Sequence, residues 1–231
     1  MQFTLETMSF LAATAFLAGL IDSIAGGGGL LTVPALLTAG IPPVQALATN
    51  KVQSAFGTGG AFIAFWRKGH VDLKTFGIPA AGAFIGSGAG TVLVQVIDSS
   101  FLSGLVPILL LIIGIYFLLA PKMQDADRQP RCGQIGLTLI ASVIGFYDGF
   151  FGPGTGSFFT TVLVVMGGLG LVRAIGNTKL LNFCTNAASV IAMVIGGHVL
   201  WLIAMVMAAA NIAGAQIGAR LAMRYNGRGV R

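Results

Sequence analysis

Apolar stretches long enough to form membrane helices follow one another along almost the whole chain. A helix needs about 20 apolar residues to cross the hydrocarbon core of a bilayer. The stretches are continuous and lack the alternation that marks the strands of a β-barrel. Only 9% of the residues are charged, against about 25% in soluble domains, so a soluble fold could not cover its surface. The sequence predicts an all-α, polytopic membrane protein with spans at about 8–25, 44–66, 75–97, 101–120, 134–151, 157–170, 174–196 and 199–223.

Two glycine-rich breaks interrupt these stretches. The first holds four consecutive glycines at 26–29, and the second reads Gly-Pro-Gly-Thr-Gly at 152–156. A short apolar segment follows each break, at 30–39 and at 157–170. We interpret these segments as half-helices that continue, or fold back from, the span before them.

The breaks also predict a cavity. Backbone groups freed at membrane depth are tolerated only where protein or a water-filled cavity surrounds them. Free amides near Leu30 and Thr155, at the start of each half-helix, would form an anion site. The alternative is close helix packing around glycine.

An internal repeat relates the two breaks and the helices that follow them. A shift of 126 residues aligns the breaks, and a shift of 128 aligns the rest, including the Gly-His-Val turns at 69–71 and 197–199. The aligned pairs include Gly19 with Gly145, Asp22 with Asp148, Gly28 with Gly154, Lys51 with Lys179, Gly86 with Gly214 and Gly90 with Gly218. We predict a duplication of a unit of about four helices.

The predicted organisation is a first membrane repeat at 1–120, an aqueous loop at 121–132 and a second repeat at 133–231. The loop holds Lys122 and Asp125 among its charged residues. The counterpart of the helix at 101–120 would begin near residue 229, so we expect the final helix to be absent or the sequence to be truncated. An eight-span model places the basic tail opposite the basic loops, so the positive-inside rule gives no clean orientation.

A polar helical face follows each break. Lys51, Ser54 and Thr58 are spaced i, i+3, i+7 and share one face. A lysine at the centre of a membrane helix costs roughly 2.5–3.5 kcal/mol on insertion scales, so it normally faces the interior; the alternative is snorkelling to an interface. The candidate substrate-binding residues are Asn50, Lys51, Ser54, Thr58, Asn177, Thr178, Lys179, Asn182, Asn186, Gly28, Gly29, Gly154 and Thr155.

Asp22 and Asp148 are the acids that lie within the predicted spans. One interpretation is a structural ion pair with a lysine. The other is a proton carrier, or a counter-ion for Lys51 and Lys179. Both can hold, because a pair that separates when substrate binds is a coupling device.

No pattern in the sequence indicates catalysis, a metal or a cofactor. There is no HExxH motif, no Ser/His/Asp arrangement and no close pair of carboxylates. Cys132 and Cys184 are too far apart in sequence to form a metal or redox motif. The net charge of +6 comes from basic residues scattered through loops and the tail, which is typical of membrane topology signals and does not indicate nucleic acid binding.

The segment Asp22–Gly29, the sequence Ala48-Thr49-Asn50-Lys51 and the repeated Gly-His-Val turn resemble the sulfite exporter TauE/SafE family, also called the toluene sulfonate uptake permeases. The resemblance covers nearly the whole chain. It implies an inner-membrane permease of about eight helices for anionic, often sulfur-containing substrates. The second half reads Asn177-Thr178 where the first reads Thr49-Asn50, which leaves open whether the halves bind equivalently.

We therefore expect a secondary transporter for a small sulfur-containing anion such as sulfite or an organosulfonate, coupled to an ion or proton. Its expected partners are that anion and the lipid bilayer, with no nucleic acid. Alternatives are a permease for other organic anions and a membrane scaffold or accessory subunit without transport of its own.

Overall fold

The computed structural model describes residues 4–119 and 127–226, and this part of the chain is helical without any strand. The all-α prediction is confirmed. Lys122 and Asp125 of the predicted aqueous loop lie outside the described residues. The helices are α1 (Leu5–Ala25), α2 (Gly29–Thr38), α3 (Pro43–Arg67), α4 (Leu73–Val96), α5 (Ser99–Leu119), α6 (Gln134–Phe150), α7 (Thr155–Val165), α8 (Leu171–Ile195) and α9 (Trp201–Asn226).

Four of these helices, α1, α4, α8 and α9, are long and apolar enough to cross a membrane. Many of their large apolar side chains are exposed to the surroundings of the bundle, among them Ile85 on α4 and Ile195 on α8. Exposed apolar surface of this kind suits a lipid environment. The helices agree with the polytopic membrane protein that the sequence predicts.

The glycine-rich breaks separate α1 from α2 and α6 from α7. Gly26 and Gly27 have φ of 81° and 93°, and Gly152 and Gly154 have φ of 98° and 88°. Residues with a Cβ rarely adopt this left-handed backbone. The chain turns at both breaks, and α2 and α7 are short helices of 10 and 11 residues.

Both half-helices fold back along the helix before them. Leu36 of α2 packs in one cluster with Leu11, which lies in the first half of α1. Leu163 of α7 packs with Leu137, near the start of α6. Of the two interpretations that the sequence leaves open, folding back is the one that the structure has.

This fold-back sets the direction of every later helix. Backbone contacts place Gly214 and Gly218 of α9 on Phe16 and Leu20 of α1, so these two helices run parallel. Helix α4 likewise runs parallel to α6. Helices α3 and α8 run antiparallel, because Phe65 near the end of α3 clusters with Val172 at the start of α8, and Leu47 near the start of α3 clusters with Met193 near the end of α8. The helices that the sequence alignment matches therefore run in opposite directions, while the duplication itself stays a prediction.

Glycines make the parallel pairs possible. A Cβ on Gly86 or Gly90 of α4 would collide with the carbonyl oxygens of Ser142 and Phe146 on α6. The aligned Gly214 and Gly218 meet backbone carbonyls of α1 in the same way. Small residues let membrane helices approach this closely, so these glycines fix the spacing of the bundle around its centre.

The two ends of the bundle carry different charges. Phe65 at the end of α3 packs with Val172 at the start of α8 and Ala222 near the end of α9, so these segments share one end, which we call the basic end. Apart from the lysines buried inside the bundle, the described lysines and arginines all lie at the basic end. They are Arg67, Lys68, Lys74, Arg128, Arg131, Arg173, Arg220 and Arg224. At the opposite end the described charged residues are Glu6 and Asp98. The described part of α9 ends at the same end as the basic loops, because α2 and α7 return instead of crossing. The tail after residue 226, which an eight-span model places opposite those loops, lies outside the described residues.

Candidate functional site

A polar cavity lies where the two glycine-rich breaks meet the middle of α3 and α8. Its volume is about 40 Å³, and by the same measure one water needs about 10–15 Å³. The cavity therefore has room for roughly three waters. It is lined by Asp22, Gly27, Gly28, Gly29, Asn50, Lys51, Gln53, Ser54, Thr58, Asp148, Gly152, Gly154, Thr155, Gly156, Asn182, Asn186 and Asn211.

Most of the predicted site residues lie together around this cavity. Asn177, Thr178 and Lys179 are the predicted residues that the lining does not include. Both lysines are about 1% exposed, so the snorkelling alternative is wrong for Lys51 and for Lys179.

The first buried ion pair joins α3 to α6 at the cavity. Lys51 Nζ donates to Asp148 Oδ1 over 2.8 Å. Asp148 is 4% exposed, and its second oxygen, Oδ2, has no hydrogen-bond partner among the described residues. A buried charged group normally fills its hydrogen-bonding capacity, whereas the described residues supply no donor to this oxygen.

The second ion pair joins α8 to α1 and is partly buried, because the Asp22 side chain is 20% exposed. Lys179 Nζ donates to Asp22 Oδ2 over 2.8 Å and also to the backbone oxygen of Asp22. The amide of Gly28 donates to Asp22 Oδ1 over 3.3 Å. Both oxygens of this carboxylate are thus occupied. The two pairs cross, because each lysine binds the aspartate of the other predicted repeat.

The expectation of free amides at the half-helix starts is wrong at the two positions that the sequence singles out. The Leu30 amide donates to the Gly27 carbonyl over 2.9 Å, and the Thr155 amide to the Gly152 carbonyl over 3.2 Å. Tight turns at a helix start commonly take up such donors. The α2 start nevertheless binds an anion, since the Gly28 amide holds the Asp22 carboxylate.

The residue two positions before each lysine anchors a loop. The Asp72 amide donates to Asn177 Oδ1 over 2.9 Å, and the Leu200 amide donates to Thr49 Oγ1 over 3.4 Å. Asp72 and Leu200 are related by the same shift of 128 residues as Thr49 and Asn177. These contacts explain why Asn177 lies outside the cavity lining.

The residue just before each lysine binds a half-helix. Thr32 Oγ1 of α2 donates to Asn50 Oδ1 over 2.5 Å. Thr160 Oγ1 of α7 donates to Thr178 Oγ1 over 3.1 Å. The first half reads Thr-Asn and the second reads Asn-Thr at these two positions. In each half, the first of the two residues binds a loop and the second binds a half-helix.

Among the lining residues with polar side chains, Gln53 and Asn211 are absent from the sequence-based candidates. Asn211 Nδ2 donates to Gln53 Oε1 over 2.6 Å, and Gln53 Nε2 donates to Asn50 Oδ1 over 2.8 Å. The signal for Asn211 is a carboxamide within the apolar run that opens α9. A second lining amide, Asn182, has an unpartnered Oδ1 among the described residues.

The lining offers a cation and amide donors but no cluster typical of a metal site. Within residues 4–119 and 127–226, no three His, Cys, Asp or Glu side chains come together in a way that could hold a metal ion. Chemically, the arrangement suits a small polar solute, held by Lys51 and by carboxamides.

The chain matches one protein family and several known proteins. The family model described as "Sulfite exporter TauE/SafE" matches residues 11–231. "Probable membrane transporter protein ORF9" of a Sinorhizobium species is 44% identical over 217 residues, covering 94% of this chain and 83% of that relative. "Probable membrane transporter protein YfcA" of Escherichia coli strain K12 is 45% identical over 210 residues, covering 90% of this chain and 78% of the relative.

A third similar protein is a "Probable membrane transporter protein" of Haemophilus influenzae, 42% identical over 224 residues. The match covers 96% of this chain and 88% of that relative. No solved structure matches the chain with statistical significance.

Proposed function

This chain belongs to the sulfite exporter TauE/SafE family of membrane transporters, and on that premise we propose that it moves a small sulfur-containing anion, such as sulfite or an organosulfonate, through the cavity between its two breaks. The Lys51 ammonium, buried at the cavity wall, is the observation that carries this proposal. A lysine inside a membrane protein usually marks a substrate or ion pathway.

The other lining groups suit a small oxyanion. Carboxamides of Asn50, Asn182 and Asn186 line the same cavity as the lysine, and their N–H groups can donate to oxyanion oxygens. The cavity volume of about 40 Å³ favours a small ligand. An organosulfonate with a longer chain requires the site to widen before it binds.

The transport experiment uses the purified protein in liposomes, with sulfite and ethanesulfonate as probes. Wild-type protein is expected to release both anions. Lys51→Ala is expected to slow release by about 30-fold or more, because removing one partner of a buried charged contact costs about 2–5 kcal/mol. Lys74→Ala, which removes an exposed lysine at the basic end, is the matched control and should leave release unchanged.

Three results separate the candidates. No release of any anion by the wild-type protein favours a scaffold or accessory subunit and contradicts transport by this chain alone. Release of carboxylates in preference to sulfite and ethanesulfonate assigns the site to other organic anions. Undiminished release in Lys51→Ala removes the proposed site. Lys51→Met combined with Asp148→Asn removes both charges and tests whether loss in the single variant comes from misfolding.

For localisation, we propose the inner membrane with the basic end in the cytoplasm. Basic residues concentrate on the cytoplasmic side of membrane proteins, and the described loops and helix ends are basic at one end of this bundle. In a variant with Cys132 and Cys184 replaced by alanine, Ser99→Cys should react with an impermeant maleimide in intact cells. Lys68→Cys should not react. The reverse pattern contradicts the orientation.

A further inference from the structure

We propose that Asp148, and not Asp22, carries the coupling proton, and that it binds this proton together with the substrate anion. The inference rests on the proposed function and assigns one role at the same site. It makes the transporter a symporter of one proton with one monovalent anion.

The first support is the unpartnered oxygen of Asp148. Oδ1 accepts a hydrogen bond from Lys51, while Oδ2 is buried without a partner among the described residues. The residue also lines the cavity. A carboxylate oxygen that is free, and next to a polar cavity, can accept a proton without giving up an existing hydrogen bond.

Asp22 lacks this freedom. Its Oδ1 accepts from the Gly28 amide and its Oδ2 from Lys179. Lys179 also holds the backbone oxygen of Asp22. A proton on Asp22 would therefore weaken two charge-assisted hydrogen bonds to the carboxylate, whereas a proton on Asp148 would weaken one. Both acids line the cavity, so contact with the cavity alone does not distinguish them.

The charge of the site explains why proton and anion bind together. Lys51 and Asp148 form a neutral pair, so a monovalent anion beside them leaves the buried site with one net negative charge. An uncompensated buried charge costs several kcal/mol. A proton on Asp148 Oδ2 removes that charge: Asp148 becomes a neutral carboxylic acid, and the Lys51 ammonium pairs with the anion.

Other charged and titratable groups around Asp148 are few. Asp22 lines the cavity from α1 and is itself held by Lys179 of α8. Tyr147, next to Asp148 on α6, donates its hydroxyl proton to the Pro153 carbonyl over 2.6 Å. Cys184 of α8 packs against an apolar cluster. The remaining charged residues of the packed helices are Lys74, Arg67 and Arg173, which lie near the basic end.

The step balances without another reactant. One proton enters from the bulk solvent, relayed by water in the cavity, and binds Asp148 Oδ2, so no hydroxide is left in the site and no covalent bond of the substrate changes. The hydrogen bond from Lys51 Nζ to Asp148 Oδ1 breaks, and one from Nζ to an oxygen of the anion forms. On release, the anion and the proton leave to the same side, and the original ion pair forms again.

The test measures the Kd of ethanesulfonate for the purified full chain at several pH values. This sulfonate stays ionised, so any pH dependence belongs to the protein. Uptake of one proton with the anion predicts that Kd rises by up to tenfold for each unit of increasing pH. Asp148→Asn imitates the protonated acid and should bind with one Kd at every pH, close to that of the wild type at low pH.

Two further variants keep the test decisive. Asp148→Glu restores a titratable acid and should restore pH dependence. Asp22→Asn, in whatever fraction folds, should keep the wild-type pH dependence. Equal Kd at low and high pH in the wild type, tighter binding at high pH, or unaltered pH dependence in Asp148→Asn each overturns the inference. Failure of every form to bind at any pH overturns the proposed sulfonate site and this inference with it.

Discussion

The two lysine–aspartate ion pairs consist of the same residue types at positions that the sequence alignment matches, yet their surroundings differ. Lys179 and Asp22 are joined by two hydrogen bonds, and the Gly28 amide fills the remaining carboxylate oxygen. Lys51 and Asp148 are joined by one hydrogen bond, and Asp148 Oδ2 is unpartnered among the described residues. In the Lys179–Asp22 pair both carboxylate oxygens accept a hydrogen bond, which suits a structural role. The Lys51–Asp148 pair has unused capacity beside the cavity.

A single proline accounts for much of this difference. Gly27 has φ of 93°, and the amide that follows it, at Gly28, points to Asp22. The aligned residue in the second break is Pro153, whose ring fixes φ near −65°. The left-handed turn therefore moves to Gly154, with φ of 88°. This backbone leaves Asp148 without the amide contact that Asp22 has.

Removing each lysine should give the greatest contrast between the pairs. Lys179→Ala leaves the Asp22 carboxylate without its buried cation, and such a loss typically costs 3–5 kcal/mol. Lys51→Ala should cost less, because it removes one hydrogen bond to the aspartate where Lys179→Ala removes two. Thermal unfolding of both variants in detergent measures the order. A larger loss of stability in Lys51→Ala contradicts the structural role of the Lys179 pair.

Exchanging glycine and proline between the breaks tests the backbone explanation. Gly27→Pro requires a negative φ where the chain has 93°, so it should destabilise by more than about 1 kcal/mol. Pro153→Gly should lower the free energy of unfolding by only about 0.4–1 kcal/mol, because glycine increases the conformational entropy of the unfolded chain. Thermal unfolding of both variants in detergent measures the two losses of stability. Equal losses would show that proline does not set the second turn.

The loop anchors extend the comparison beyond the cavity. Asn177 binds the Asp72 amide and also donates to the carbonyls of Arg173 and His70, whereas Thr49 accepts one longer bond from Leu200. Asn177→Ala leaves buried polar groups unpaired and should cost about 1–3 kcal/mol. Thr49→Val should cost about 0.5–1.5 kcal/mol. Hydrogen exchange at 69–72 and 197–200 reports each loop, and faster exchange at 197–200 in Thr49→Val than at 69–72 in Asn177→Ala contradicts this order.

The ion pair of Asp127 and Arg173 at the basic end is exposed to water, so the same chemistry should contribute little there. The Gly170 amide, and then Arg173, lower the pKa of Asp127 below its usual value. A lowered folded-state pKa adds stability above the unfolded pKa, and that stability is lost as pH falls through the folded pKa. Since Asp127 and Arg173 are 54% and 47% exposed, Asp127→Asn should cost at most about 1 kcal/mol. The loss should shrink in high salt and at acid pH; a loss that is unchanged in both contradicts this role.

Local patterns in the sequence predict the helices, the two breaks and the acids and lysines that meet in the centre. Composition and glycine runs determine these features through local backbone preferences and lipid solvation. The fold-back of α2 and α7 could not be predicted from the sequence, because a half-helix has the same apolar pattern whether it continues the preceding helix or returns along it. The crossing of the ion pairs could not be predicted either, since it depends on how α3 and α8 pack. Asn177 and Thr178 have ordinary site-like chemistry, and only tertiary contacts show that they bind a loop and a half-helix.

The position of a bound anion can be seen by solving the structure of the protein with ethanesulfonate. We expect the sulfonate oxygens within about 2.7–3.2 Å of Lys51 Nζ, with Asp148 withdrawn from that lysine and the Lys179–Asp22 pair unchanged. A sulfonate bound to Lys179 in place of Asp22, or one held away from both lysines, would contradict the assignment of the Lys51–Asp148 pair as the substrate site.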